Sequence, residues 1–371
     1  MAFDSNKLCP CGMYGKDYGD CCKTQGPDAL GNAMQRCGVQ LRLPGTRIET
    51  LSSWVNGDTR FRIMWNQLWT SPQEHTFHQF LDCLTVKTLG QDWFKQQILL
   101  TIEKQNAIVR WRESLRLLLD RPTNTPDGGH TFTGPVKAYF CLAYDLYWLQ
   151  MVHKLPDMLI ERLKDFSRFE GVRYEILIAA VFVRAGFEIN WLDDVSTKGK
   201  HCEFIATHKR TGERIGVETK FKRRSAVLNF IGGSISPETH LKGDIFGLYD
   251  QAVKQAPTGR IPFLIFIDVN VPASFTGIPG QLRVPVADFP WLKEIEDELA
   301  LRRGLAGGKT AETCLIVTNL PFYYGNNVVP SPTGMFGVFP SPTPNTTLSK
   351  NATVEDLQYC LASYGEIPRQ I

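Results

Sequence analysis

Arg214-Ile215-Gly216-Val217-Glu218-Thr219-Lys220-Phe221 is the stretch on which the reading of this chain turns. Its β-branched and aromatic residues predict a strand. Residues two apart on a strand share a face, so Glu218 and Lys220 point the same way with Thr219 between them. A second acid, Glu203, lies fifteen positions upstream (218 − 203) in the apolar run Cys202-Glu203-Phe204-Ile205-Ala206. The segment His208 to Glu213 between the two runs reads as a hairpin loop. Two strands joined in this way bring two carboxylates beside one ammonium. Mg²⁺ takes a few hard oxygen ligands and keeps some of its waters. Glu203 and Glu218 would supply side-chain oxygens, and Thr219 its backbone carbonyl. Such a cation neutralises a phosphodiester and lowers the pKa of an attacking water. Lys220 would orient that water and stabilise the developing charge.

The surrounding elements extend the pattern. Arg173 to Ala185 has helical spacing and carries a further acid, Glu175, beside Tyr174, Ile176, Leu177 and Ile178, a fourth catalytic candidate that could complete the metal site or bind a second ion. Strands are expected at Phe187–Leu192, Cys202–Thr207 and Arg214–Phe221, then a helix near 243–255 and a buried strand at Pro262–Val269. A charged helix (Trp291–Arg303) and an apolar strand (Cys314–Asn319) follow. The order α-β-β-β-α-β-α-β implies an α/β fold, a mixed sheet flanked by helices.

At Glu203, Glu218, Lys220 and Glu175 the sequence resembles the PD-(D/E)XK nuclease superfamily, in particular its restriction-endonuclease-like and Mrr-like members. The resemblance covers about residues 168–270 and extends towards 320. It implies a core of one helix, three antiparallel strands, a helix and a further strand. It also implies Mg²⁺- or Mn²⁺-dependent hydrolysis of DNA, with RNA as the alternative substrate. Defence against foreign DNA is the implied setting, with DNA repair as a second, in a prokaryotic cytoplasm. Glu203 stands where the family usually has Asp, which moves the ligand by about one C–C bond, roughly 1.5 Å. The competing reading is a catalytically inactive endonuclease-like fold that binds nucleic acid or protein. Lys198, Lys200, Lys209, Arg210, Arg214, Lys222, Arg223 and Arg224 crowd the same region. Lys200 and Lys222-Arg223-Arg224 are the candidates for contacting a phosphate backbone. His201 and His208 read as surface residues.

Four regions are expected: 1–25, 26–168, 169–320 and 321–371. Residues 1–25 contain Cys9-Pro10-Cys11-Gly12 and Cys21-Cys22 and almost no aliphatic residue. Four thiolates suit tetrahedral Zn²⁺, with no open position for catalysis. This segment resembles the SEC-C motif, which implies a zinc knuckle at Cys9, Cys11, Cys21 and Cys22 and a contact surface for protein or nucleic acid. Residues 26–60 read as irregular, and 61–168 as a mainly helical accessory region suited to dimerisation or regulation. Within it, Gln91–Asp120 reads as one long helix, with further helices at Val136–His153 and from Pro156 to Phe166. Trp65, Trp69, Trp93, Trp111, Tyr139, Phe140, Tyr147 and Trp148 are assigned to the core, with an aromatic platform for unpaired bases as the alternative. Residues 321–350, rich in Pro, Ser, Thr, Gly and Asn, read as a surface loop before a last helix.

Composition constrains without deciding. The chain has 371 residues, 43% hydrophobic, enough for a sizeable core. A net charge of +3 makes any electrostatic argument local. No apolar run approaches the ~20 residues that span a bilayer. Met1 to Lys7 lacks the apolar core of an export signal, so a cytoplasmic setting is expected and clustered cysteines favour metal over disulfides. The other cysteines, Cys37, Cys83, Cys141, Cys202, Cys314 and Cys360, read as buried thiols. Gly304 to Thr310 imitates a phosphate loop, but Arg303 stands where that pattern needs its first glycine.

Overall fold

The computed structural model describes residues 40–51, 53–65, 67–125, 128–192, 201–223, 241–271, 290–305, 307, 309–320, 322 and 334–371. Cys9, Cys11, Cys21, Cys22, Lys200 and Arg224 lie outside these residues.

A six-stranded mixed sheet carries the elements expected between 169 and 320. Its order is β11-β10-β9-β8-β7-β6, and all but one of its strands were anticipated. Strands β6 (Phe187–Trp191), β7 (Phe204–His208) and β8 (Arg214–Phe221) form an antiparallel meander. The register Phe204↔Val217 and Thr207↔Arg214 fixes which residues meet across it. Helix α7 (Leu241–Val253) then leads to β9 (Phe263–Asp268), parallel to β8. Helix α8 (Pro290–Leu305) leads to β10 (Cys314–Asn319), parallel to β9. The sheet ends on β11 (Met335–Pro340), antiparallel to β10, inside a segment that reads as loop.

Strands β9 and β10 are buried along their whole length, as strands covered on both faces must be. Their side chains alternate between two cores. Leu264, Phe266 and Ile316 pack with Ile215 and Val217 of β8 against α6 (Phe169–Arg184). Ile265, Ile267, Leu315 and Val317 pack against Ile245, Phe246 and Tyr249 of α7 and Leu292, Ile295 and Leu299 of α8. The sheet is therefore a middle layer between helices.

The region before 169 departs from expectation at both ends. Residues 40–72 form strands: β1 (Gln40–Arg42) with β2 (Glu49–Leu51), and a second meander, β3 (Trp54–Asn56), β4 (Thr59–Met64) and β5 (Gln67–Pro72). The expected long helix is two, α2 (Gln91–Ile98) and α3 (Ala107–Leu119), because the Asn106 side chain accepts from the Ile108 N–H and caps a new start. The turn between them leaves Ile98, Leu99, Leu100 and Ile102 exposed.

Helix α4 (Gly134–Met151) is apolar almost all round and packs against α1 (Phe77–Leu89), α3 and α6. Helix α5 (Asp157–Lys164) precedes α6 and packs on it. These helices and one face of the sheet share a single continuous core. Trp148, Trp111, Tyr139, Phe140 and Tyr147 belong to it, as anticipated. Trp65 does not, being 54% exposed. Cys141, Cys202, Cys314 and Cys360 are buried, whereas Cys83 is exposed. The last helix, α9 (Asn351–Ala362), lies on α6 and β11. None of the described helices is long and apolar enough to cross a membrane.

Candidate active site

Glu218 and Lys220 lie on the strand that β7 and β9 flank in the middle of the sheet. Val217 and Phe221 turn to the α6 core, so alternation sends Glu218 and Lys220 to the other face. There the Lys220 Nζ donates to Glu218 Oε1 in a short ion pair. Glu218 is only 1% exposed, and burial pushes its carboxyl up to about 7 against the pull of Lys220. Its second oxygen, Oε2, has no hydrogen-bond partner among the described residues.

Glu203 sits one residue before β7, where the ladder with β8 ends. Its N–H donates to the Val217 carbonyl at 3.0 Å, and its carbonyl accepts from the Leu192 N–H at 3.1 Å. The backbone of Glu203 therefore fastens the ends of β6 and β8 beside Glu218. Burial raises its carboxyl well above the ordinary carboxylate range, and the negative charges of Glu175 and Glu218 raise it further. Lys220 and Arg162 oppose that rise. The four residues named from the sequence thus lie within electrostatic reach of one another.

Arg162, on α5, was not anticipated. Its Nη2 donates to Glu175 Oε1 at 2.6 Å, joining two helices thirteen residues apart in sequence. No periodicity marks such a pair, because it depends on how α5 folds back on α6. The accessory helices therefore contribute a side chain to the edge of the site.

The carboxylates fit some cations better than others. Among the described residues, no group of three or more His, Cys, Asp and Glu side chains is gathered to hold a metal ion. Glu175 gives one of its two oxygens, Oε1, to Arg162. The donors on the meander itself are Glu203, Glu218 Oε2 and the backbone carbonyl of Thr219. This set suits Mg²⁺, which takes one or two carboxylates and keeps several waters, and not an ion that needs three protein acids.

The basic residues are more committed than their sequence suggests. The Arg223 guanidinium donates to the Ser167 carbonyl at 2.8 Å and lies 3.7 Å from Glu170, at the start of α6. It braces that helix, although much of its side chain faces water. Arg210 pairs with Asp356 of α9 at 2.6 Å. His208 corrects the surface reading, since it is buried against Asp356 at 3.3 Å and Thr211 at 2.9 Å. The Lys222 N–H continues the β8–β9 pairing by donating to the Asp268 carbonyl at 3.0 Å. No protein-family description, no curated protein and no solved structure matches the chain.

Proposed function

We propose that this chain is a divalent-cation-dependent nuclease of the restriction-endonuclease-like kind, acting on DNA. The observation that carries the reading is the joint placement of Glu203, Glu218 and Lys220, with Glu175 behind them, on the meander of a mixed sheet. The order of α6, β6, β7, β8, α7 and β9 supports it, since it follows the helix, three antiparallel strands, helix and strand of that group.

Glu203 and Glu218 would hold Mg²⁺ or Mn²⁺ with the Thr219 carbonyl, and the cation would supply charge neutralisation and a more acidic water. The residues themselves do the rest. Glu218 keeps Lys220 on the reacting face through their ion pair. Lys220 then has an ammonium available to orient a water and to meet the charge that develops on the phosphate oxygens. Arg162 neutralises Glu175, so that a third negative charge does not repel the phosphodiester.

The test is cleavage. Protein with Mg²⁺ or Mn²⁺ is incubated with supercoiled, duplex and single-stranded DNA, beside Lys220→Ala. Wild type should cut and Lys220→Ala should be slower by about two to three orders of magnitude. Equal rates for both would sink the assignment. A second reading, a binding module without catalysis, draws on the self-neutralised pairs Lys220–Glu218 and Arg162–Glu175. Salt-dependent binding without cutting would favour it.

Cys9, Cys11, Cys21 and Cys22 are proposed to hold a structural Zn²⁺ that folds the first residues and offers a surface for a protein or nucleic-acid partner. Metal analysis should find about one zinc per chain, lost in a Cys11→Ser, Cys21→Ser double variant. Unchanged zinc content in that variant would remove the knuckle.

A further inference from the structure

Trp65 and His153 are surface residues held in an unfavourable backbone conformation. Trp65 lies between β4 and β5, and His153 follows α4. Both are left-handed, with φ of 53° and 54°. That region costs a bulky L-residue roughly 1–2 kcal/mol. Their rings are stacked, with centroids 5.4 Å apart and planes 12° from parallel. Both residues are exposed, so the indole presents a flat apolar face to water. A large aromatic turned outward from two strained turns adds little to the core, and strain of this kind gathers at binding sites.

The stacked pair borders a cavity of about 290 Å³ lined by Met64, Trp65, Gln67, Gln150, His153 and Leu155. This is near the lower limit of small-ligand pockets, room for one flat ring system and not for a whole dinucleotide. The Gln67 Oε1 accepts from Lys87 Nζ at 3.3 Å, and the Gln150 Nε2 donates to Thr88 Oγ1 at 2.6 Å, so both amides are oriented. Lys87, which also lies over the Trp69 ring, brings positive charge to Gln67, whereas Lys154 is paired with Glu188 at 3.4 Å.

This surface is tied to the carboxylates. Lys154, next to His153, accepts at its carbonyl from Trp191 Nε1 at 2.7 Å. Trp191 pairs with Phe204 across β6 and β7, and the neighbouring Leu192 N–H donates to the Glu203 carbonyl. We propose that Trp65 and His153 form a stacking subsite for an unpaired nucleobase of the strand whose phosphodiester lies at Glu203 and Glu218. The proposal rests on the nuclease reading for the position of that phosphodiester. Its chemistry is separate: an aromatic face, two oriented amides and Lys87 suit a base and its phosphate whether or not the strand is cut.

The experiment leaves cleavage out. Binding of a fluorescein-labelled oligothymidylate and of a labelled duplex is measured by anisotropy, with no added Mg²⁺ or Mn²⁺ and at one ionic strength. Wild type, Trp65→Ala, Trp65→Phe and His153→Ala are compared, each with its melting temperature. Trp65→Ala should weaken single-strand binding about tenfold, Trp65→Phe should keep most of it, and duplex binding should not change. Equal single-strand affinity in wild type and Trp65→Ala overturns the proposal. So does equal weakening on single and double strands, or a wild type that binds no single strand. Because no Mg²⁺ or Mn²⁺ is added, a failed cleavage assay would not affect this result. A lost subsite would likewise leave the roles of Glu218 and Lys220 intact.

Discussion

Glu218→Gln is expected to lose about 10³-fold of cation-dependent cleavage and, at pH 8, to melt at a higher temperature than wild type. The two effects share one cause. The carboxylate proposed to hold the cation is buried where water would serve it better, and burial pushes it up to about 7 from an ordinary 4.5. Between those values the folded state keeps a proton that the unfolded state has released. Stability therefore falls as pH rises through that window, and the deficit is complete above it. Its size is on the order of 3 kcal/mol, the value of about 7 already including the pull of Lys220. Glutamine carries no charge, and its Oε1 can still accept from Lys220. The gap in melting temperature between variant and wild type should therefore be small at pH 5 and wider at pH 8, as seen by calorimetry. A gap of equal size at both values would show that Glu218 is not the destabilising group. A functional site held at the expense of stability is what this exchange would expose.

Asp356→Ala is expected to cost about 3 kcal/mol, a drop of roughly 4 °C in melting temperature for a chain of 371 residues. Asp356 lies on α9, is buried, and faces three basic groups: it accepts from Arg210 Nη2 at 2.6 Å and lies 3.0 Å from Arg47 Nε and 3.3 Å from His208 Nε2. These contacts tie residues before β2, the β7–β8 hairpin and the last helix to one carboxylate. Removing it leaves His208 facing an empty acceptor position in the interior, since His208 is only 1% exposed. Arg47 and Arg210 can turn to water, which keeps the loss at the low end for a buried pair. Asp356→Asn keeps an acceptor and should lose less. Thermal melts of the three proteins check the order, and equal melting temperatures for wild type and Asp356→Ala would dissolve the clamp.

The sheet was largely legible because its strands are long apolar runs punctuated by turns. Phe187, Phe204, Val217, Phe263 and Leu315 each fall in a run that cannot be anything but buried, and β9 and β10 are buried at every position. The strands of residues 40–72 were not legible. Several are only three residues long, and β3 and β5 are largely open to solvent, so no clean alternation appears. The break between α2 and α3 was hidden by Ile98, Leu99 and Ile102, which continue the helical spacing while lying in water. Asn106, a good cap before Ala107 and Ile108, was the signal available. Strand β11 was masked by Gly337 and Pro340 within a loop-like composition.

At the site, E-x-K spacing within β8 placed Glu218 and Lys220 correctly on one face, because period two is a local property. Arg162 and the Asp356 contacts are tertiary, set by helices folding back over distances that no spacing encodes. Trp65 was assigned inward by its company of aromatics, and only the turn geometry shows it facing out.

The closing of the hairpin by Asp356 has a consequence for synthesis. Asp356 emerges from the ribosome 136 residues after Lys220 (356 − 220). At about 5–20 residues per second, that interval lasts roughly 7–27 s. Through it the sheet lacks its edge strand β11, and the β7–β8 hairpin lacks its final fastener. Until α9 has been made, Arg210 and the buried His208 at the turn of that hairpin lack the carboxylate that faces them in the folded chain.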